Sequence, residues 1–228
     1  MSQDNNRQAL FDLYPFLHNK KQDAASLNTA LLESVRQKIA QHQSVIEVFF
    51  KKNDQAVIDA ASAVAEMYRN NGRLYVMGNG GSSSDASHIA VEFLHPVTTG
   101  RPALPAYDLS MDKTFITALG NDVGFDNIFS RQMISMVQPG DVVLGVSTSG
   151  NSKNLVQGFL QAKKLQAVTI GLTGGAGGEM ATMGLDHCLV VESDSIHRTQ
   201  ECHVAIYHVL WDLVHTLLAD DRGNVNVS

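Results

Sequence analysis

His88 and Glu92 lie four residues apart in a stretch that favours a helix, so both side chains are expected on one helix face. An imidazole and a carboxylate at this spacing can bind one metal ion or act as a general acid and a general base. The pair alone does not distinguish these roles from a packed or solvated histidine. Further members of such a site must come from other parts of the chain.

A glycine-rich turn precedes this helix. Residues 74–77 form a short apolar run typical of a buried parallel strand, and Gly78, Asn79, Gly80 and Gly81 follow it directly. The serines at 82–84 can cap the helix, and its first N–H groups can bind an anion such as a phosphate. The alternative is a plain strand-to-helix turn, because the full dinucleotide-binding pattern is absent.

A second hydroxyl-rich segment lies at 147–152, where a predicted strand ends and a predicted helix begins. It contains Ser147, Thr148, Ser149 and Ser152 together with one glycine. One such residue is enough to cap a helix, so four hydroxyls in six positions favour anion binding over capping alone. No lysine follows in the P-loop pattern, which argues against hydrolysis of a nucleoside triphosphate.

The last predicted helix carries Gln200, Glu201, His203 and His208. On an ideal helix His203 and His208 are about 140° apart and cannot serve one site. Gln200 and His208 are about 80° apart and roughly 12 Å apart along the axis, so two long side chains could still meet at one ion. From spacing alone, packed or solvated side chains remain the simpler interpretation.

The elements that would position these residues alternate between strands and helices. Strands are predicted at 74–77, 104–108, 142–147, 167–172 and 188–191, and helices at 114–119, 125–137, 153–165 and 197–218, with a short helix after 178. Two further helices are predicted before the first strand, at 27–52 and from Asp54 to about residue 70, with Gly72 ending the second. This order predicts an α/β fold with a parallel sheet in a three-layer α/β/α arrangement, plus N-terminal helices.

Composition limits the function classes. The 228 residues are 44% hydrophobic and carry a net charge of −6, so a basic nucleic-acid surface is not expected. Two cysteines make no disulfide framework, and neither a signal peptide nor a transmembrane run is found, so we expect a cytoplasmic protein with no membrane contact. We predict an extension at 1–26, one domain at 27–220 with a helical arm suited to oligomer contacts, and a polar tail at 221–228. The extension could be a docking helix or a loosely ordered tail.

Five motifs in a fixed order resemble the phosphoheptose isomerases of the sugar-isomerase (SIS) domain group. They are GNGGS at 78–82 followed by His88 and Glu92, GNDVGF at 120–125, STSGNS at 147–152, LTG at 172–174, and RTQECH at 198–203 followed by His208. The resemblance covers about residues 30–218. It implies a flavodoxin-like SIS fold, a homotetramer with shared active sites, and isomerisation of sedoheptulose 7-phosphate to D-glycero-D-manno-heptose 7-phosphate for lipopolysaccharide or capsule precursors.

The resemblance also implies specific residues. One zinc ion per subunit would be bound by His88, Glu92, Gln200 and His208. Sugar-phosphate binding would fall to Glu92 and Gln200 together with Asn79, Gly80, Gly81, Asn121, Asp122, Ser147, Thr148, Ser149 and Ser152. The sequence departs from the usual pattern at Val91, Pro96 and His197, positions expected near the sugar, so the sugar itself stays open.

An aldose–ketose isomerase needs a base that moves a proton between neighbouring carbons, and we expect Glu92 in that role with His208 as its acid–base partner. The alternative is a non-catalytic SIS protein that binds a replication-initiation protein or senses a sugar phosphate. An isomerase for another sugar phosphate is a third possibility. The combination of His88, Glu92, Gln200 and His208 favours an enzyme, because a binding module does not need all four.

Overall fold

The computed structural model describes residues 24–219, and all statements below concern this part of the chain. Most of the predicted extension at 1–26 and the whole predicted polar tail at 221–228 lie outside it. The predicted domain boundaries therefore stay predictions. A division between two compact units falls between Gln41 and His42. The α/β architecture described next belongs to the second unit.

One helix, α1 (Ala24–Arg69), precedes the first strand, whereas the sequence predicted two helices. Asp54 was expected to begin the second, but its side chain accepts the N–H of Gln55 inside a continuous helix. The polar residues before it contain no glycine or proline, so nothing interrupts the backbone hydrogen bonds. The helix ends because Asn71 adopts a left-handed conformation and the N–H of Gly72 donates to the Met67 carbonyl oxygen.

Five parallel strands form the sheet, in the order β2-β1-β3-β4-β5. Their bounds are β1 Leu74–Gly78, β2 Ala106–Asp108, β3 Val142–Ser147, β4 Val168–Gly174 and β5 His187–Val191. The chain order reverses between β1 and β3. In such sheets the crevice beyond the carboxyl ends of these two strands is where ligands bind.

Helices cover both faces of the sheet. They are α2 Gly81–Leu94, α3 Lys113–Asp122, α4 Ile128–Met136, α5 Lys153–Lys164 and α6 Ile196–Leu217. Alternate residues of β1 enter two separate cores: Leu74 and Val76 pack with α2 and α6, while Tyr75 and Met77 pack with α4 and α5. This confirms the predicted three-layer α/β/α fold with a parallel sheet.

Three predicted elements differ from those in the structure. Asn121 and Asp122 were expected in a turn but form the last residues of α3, whose start is capped by Asp112. The predicted helix at 125–137 begins with a 3₁₀ turn, Phe125–Asn127, and becomes α-helical only at Ile128. The segment after Gly178 is likewise a single 3₁₀ turn, Glu179–Ala181. Polar and glycine-rich ends of this kind tighten into 3₁₀ geometry readily.

Candidate active site

The turn between β1 and α2 is built differently from the prediction. Gly80, with φ 56°, occupies the N-cap position, and no side chain caps the helix. The serines expected as caps lie within the first helical turn, where Ser83 Oγ donates back to the Gly80 carbonyl oxygen at 2.7 Å. The N–H groups of Ser82 and Ser83 donate to the carbonyl oxygens of Asn79 and Gly80. Fewer donors are therefore free for an anion here than the sequence predicted.

The hydroxyl groups of the 147–152 loop converge at the end of β3. Ser147 Oγ lies 3.1 Å from Ser152 Oγ and 3.5 Å from Ser149 Oγ, and it accepts the N–H of Gly150 at 3.2 Å. Ser152 is the N-cap residue of α5, yet its hydroxyl makes no capping hydrogen bond. Because it faces Ser147 and not its own helix, it is available to a ligand at this end of the sheet.

A pair of amide side chains joins the two turns across the crevice. Asn79 follows β1 and Asn154 lies in the first turn of α5, and each Nδ2 donates to the other's Oδ1 at 2.8 Å. Asn154 is buried and Asn79 is partly buried, so the pair is partly shielded from water. The β1–α2 turn and the hydroxyl loop are thereby fixed relative to each other, as a ligand spanning the crevice requires.

Three donor groups meet between α2 and α6. One ligand atom from each of His88, Glu92 and His208 lies within 4.8 Å of the others, a group that could hold a metal ion. His88 Nε2 is 3.1 Å from Glu92 Oε1, and the ring centroids of His88 and His208 are 5.1 Å apart. The side chains of His88 and Glu92 are 42% and 20% exposed, so a small molecule can reach them.

Gln200, the fourth predicted ligand, belongs to α6, and its side chain lies against the beginning of α2. A Cβ atom placed on Gly81 would be only 2.3 Å from Gln200 Nε2, so the missing side chain of Gly81 lets α6 approach this turn. Burial raises the pKa of Asp85, while a hydrogen bond from Gln200 and the charge of His88 lower it. Gln200 therefore lies near Asp85, one helical turn before His88 on the same face.

Asp85, Tyr207 and Trp211 belong to this region and were missed by the sequence prediction. Asp85 precedes His88 by three residues, so helical spacing could have identified it. Tyr207 Oη lies 2.7 Å from His88 Nδ1, and Trp211 Nε1 donates to the Glu92 carbonyl oxygen at 2.8 Å. Burial, with the negative charges of Asp85 and Glu92, raises the pKa of Tyr207. No pattern in the sequence assigns these two aromatic residues to the site.

Some predicted site residues are not brought into these clusters. Asn121 and Asp122 are exposed at the end of α3 and are joined to each other at 2.8 Å, and no hydrogen bond within residues 24–219 links their side chains to either loop. Thr148 lies beside Gly174, with its carbonyl oxygen turned toward that glycine. Val91 and His197 are exposed.

The remaining polar residues of α6 have other partners. His203 is fully buried and its Nε2 contacts the Thr173 carbonyl oxygen at 3.1 Å, so it lies away from His208 as the helical spacing predicted. Glu201 binds His42 through Oε2 at 2.8 Å and Arg198 through Oε1 at 2.7 Å. Neither His203 nor Glu201 takes part in the three-donor group.

Comparisons with known proteins identify the family of this chain. The SIS domain family matches residues 39–174. The phosphoheptose isomerase of Sulfurimonas denitrificans is 46% identical over 158 residues, which cover 69% of this chain and 80% of that protein. The phosphoheptose isomerase of Geotalea daltonii is 40% identical over 192 residues, covering 84% of this chain and 100% of that protein.

This chain belongs to the phosphoheptose isomerases of the SIS-domain family. The phosphoheptose isomerase structure from Neisseria gonorrhoeae superimposes with a TM-score of 0.77 at 34% identity, covering 82% of this chain and 99% of that one. The phosphoheptose isomerase structure from Francisella tularensis superimposes with a TM-score of 0.72 at 33% identity, covering 86% of this chain and 100% of that one. The fold and the isomerase class expected from the motifs are confirmed. Across residues 24–219, no helix is both long and apolar enough to cross a membrane.

Proposed function

We propose that this phosphoheptose isomerase interconverts sedoheptulose 7-phosphate and D-glycero-D-manno-heptose 7-phosphate, an aldose–ketose reaction that supplies heptose precursors for lipopolysaccharide or capsule. One observation carries the proposal. A hydroxyl loop suited to a phosphate and an imidazole–carboxylate group suited to proton transfer belong to the same SIS-type domain. The names of its relatives agree with this reaction.

The phosphate end of the substrate is assigned to Ser147, Thr148, Ser149 and Ser152. Hydroxyl and backbone N–H donors at the start of α5 bind an anion without a basic side chain, which suits an acidic protein. The polyol is assigned to Asn79, Gly80, Gly81, Asn121, Asp122 and Gln200. Within residues 24–219 the side chains of Asn121 and Asp122 make no hydrogen bond to either loop, so the contribution assigned to them is direct contact with the bound sugar.

The donor set fits a zinc ion. Two imidazoles and one carboxylate form a common zinc ligand set that leaves positions for substrate oxygens. His88, Glu92 and His208 would hold the ion, with Gln200, whose amide group lies beside Gly81 and Asp85, as a neutral oxygen donor. A bound zinc ion would polarise the carbonyl and hydroxyl oxygens of the sugar as a Lewis acid. One ion per subunit is proposed.

Proton transfer is assigned to Glu92 and His208. Glu92 would remove the proton from the carbon beside the carbonyl and return it to the neighbouring carbon, while His208 would exchange protons with the sugar oxygens. The phosphate loop would hold the far end of the chain, so that the reacting carbons stay within reach of both groups. Metal ligation and proton transfer compete for these two side chains. Glu92→Gln separates them, because the amide retains an oxygen donor and loses the base.

Direct assay tests the function. Metal-replete protein is incubated with a panel of five-, six- and seven-carbon ketose and aldose phosphates, and products are followed by NMR. We expect turnover of sedoheptulose 7-phosphate well above that of the shorter sugars. Turnover of another sugar phosphate alone would reassign the substrate. The shorter sugars are included because Val91, Pro96 and His197 depart from the usual pattern at positions expected near the sugar. No turnover of any seven-carbon ketose phosphate would refute the proposal.

A non-catalytic sensor or regulator is the second candidate, because the SIS fold by itself does not require catalysis. A sensor needs the hydroxyl loop but not the group of His88, Glu92 and His208. Binding of a sugar phosphate with no conversion would favour it. The presence of the complete group, partly open to solvent, is the observation that favours the enzyme.

We also propose a homotetramer of cytoplasmic subunits. Helix α1 exposes apolar side chains at helical spacing, among them Leu31, Val35 and Ile39, which are 57%, 60% and 53% exposed. Exposed apolar stripes of this kind favour a protein interface over contact with water. Sedimentation should show an oligomer at micromolar concentration and a smaller species for Leu31→Asp/Val35→Asp. A wild-type monomer would refute the assembly.

A further inference from the structure

Tyr207, on α6, contacts the proposed metal-binding group through the ring of His88. Its hydroxyl oxygen lies 2.7 Å from His88 Nδ1, on the side of the ring opposite the Nε2 atom that faces Glu92. We propose that Tyr207 is a positioning residue, which fixes the His88 ring with Nε2 directed toward the metal site. This role rests on the metal site proposed above.

The chemistry of imidazole explains why the hydroxyl matters. A neutral histidine that binds an ion through Nε2 carries its proton on Nδ1, and that N–H needs an acceptor. The phenol oxygen of Tyr207 is placed to accept it. Groups that bind the second nitrogen of a metal-ligating histidine fix the tautomer and the orientation of the ring, and losing such a group commonly weakens metal binding 10–100-fold.

Packing fixes Tyr207 in turn. The residue is buried, its ring meets the His88 ring edge-on at 5.4 Å between centroids, and it meets the His208 ring at 4.8 Å. His88 itself has a side chain that is 42% exposed. The buried ring of Tyr207 therefore restrains a histidine that would otherwise rotate more freely, and phenylalanine would fill the same space without the acceptor.

Tyr207→Phe tests the role, with Tyr75→Phe as the matched control. Tyr75, like Tyr207, has a buried ring. Its hydroxyl donates to the Met136 carbonyl oxygen at 2.9 Å, and it belongs to the core on the α4 and α5 side, away from His88. Metal-free full-length proteins are titrated with zinc against a chromophoric chelator, without substrate. We expect Tyr207→Phe to bind zinc about 10–100-fold more weakly. Tyr75→Phe should bind it as the wild type does.

Activity gives a second readout. At limiting zinc Tyr207→Phe should be poorly active, and at saturating zinc its kcat should return toward the wild-type value, because a loss of affinity is recovered by mass action. Unchanged zinc affinity in Tyr207→Phe would overturn the role of Tyr207 and leave the isomerase proposal standing. A wild-type protein that binds no zinc would overturn the metal site and this role together. A kcat that excess zinc does not restore would overturn positioning in favour of direct participation.

Discussion

At the residue scale, His88 has neighbours on both sides of its ring. Each of its ring nitrogens has a different neighbour, Tyr207 at Nδ1 and Glu92 at Nε2, and its ring packs against His208. A side chain with partners on both sides has little freedom left, which is the condition for ligand groups that must act at fixed positions. Removing the imidazole should therefore disturb the whole group.

His88→Ala should lose both bound zinc and isomerase activity, because it removes a ligand that the other donors cannot replace. The measurement is zinc content after reconstitution, expected near one per chain in the wild type, together with kcat/KM. His95→Ala is the control, since His95 is exposed at the end of the same helix. Full activity in thoroughly chelated wild-type protein would remove zinc from the mechanism.

Ser149→Ala and Ser152→Ala should mainly weaken substrate binding. Each deletes one hydroxyl of the loop after β3, and a charge-assisted hydrogen bond to a phosphate is worth roughly 1.5–3 kcal/mol. KM and the inhibition constant of a product analogue should rise, with a smaller change in kcat. Ser62→Ala, which removes an exposed hydroxyl bonded to its own helix, serves as the control. A change confined to kcat would contradict the phosphate-binding role.

At the element scale, α2 and α6 run side by side in one register. Tyr207 contacts His88 and Trp211 contacts Glu92, and both contacts join residues 119 positions apart in the chain. Gln200 meets Gly81 at the first turn of α2. Two helices that run parallel at a fixed offset bring successive side chains to the same level, so donors from both helices can face one point.

The loop that follows β3 is held by a second glycine-rich loop. Gly150 has φ 65°, and the N–H of Met180 donates to its carbonyl oxygen at 3.0 Å. A Cβ atom on Gly150 would lie 1.9 Å from the carbonyl oxygen of Gly177. The position therefore excludes any side chain, both by backbone conformation and by space.

Gly150→Ala should lower the free energy of unfolding by roughly 1–3 kcal/mol and displace the hydroxyl groups beside it. Gly120→Ala is the matched control, because Gly120 lies in α3 and open space surrounds its would-be Cβ. That substitution should raise stability by about 0.5–1 kcal/mol. Urea unfolding measures both. Equal stability of Gly150→Ala and wild type would show that the two loops are not tightly packed.

At the scale of the whole molecule, the core on the α2 and α6 side contains buried histidines. Burial lowers the pKa of His203 to about 4, although its hydrogen bond to the Thr173 carbonyl raises it somewhat. Burial likewise lowers the pKa of His215 to about 4, with a further contribution from the charge of Arg101. Both groups are neutral in the folded protein at pH values where the unfolded chain already binds protons.

Stability should therefore fall as the pH decreases from about 6.5, the ordinary pKa of histidine, toward 4. In that interval the unfolded chain takes up protons that the folded protein excludes, and above it the effect is absent. For His203 the loss amounts to roughly 3 kcal/mol at most.

His203→Gln, which can still donate to the Thr173 carbonyl, should show a flatter dependence of the unfolding free energy on pH between 7.5 and 5. His187→Gln, at a partly exposed position, should behave as the wild type. Parallel curves for His203→Gln and wild type would rule out His203 as the source.

Local pattern determined much of this protein. Periodicity and turn chemistry act between near neighbours in the chain. They predicted the strand at 142–147, the glycine turn after β1, and a shared helix face for His88 and Glu92. The same reasoning failed at Asp54, because a residue caps the start of a helix only where the backbone before it is not helical. Here the residues before Asp54 are helical.

Tertiary structure alone decided how distant residues meet. Helical spacing placed Gln200 and His208 far apart on one helix, and only the parallel packing of α6 on α2 brings one to Gly81 and the other to His88. The contacts of Tyr207 and Trp211 have the same origin, whereas the contact of Asn154 with Asn79 depends on β1 and β3 being neighbours in the sheet. Such contacts depend on strand order and on which faces pack together, and these follow from burying the whole apolar surface at once, not from the identity of any single residue.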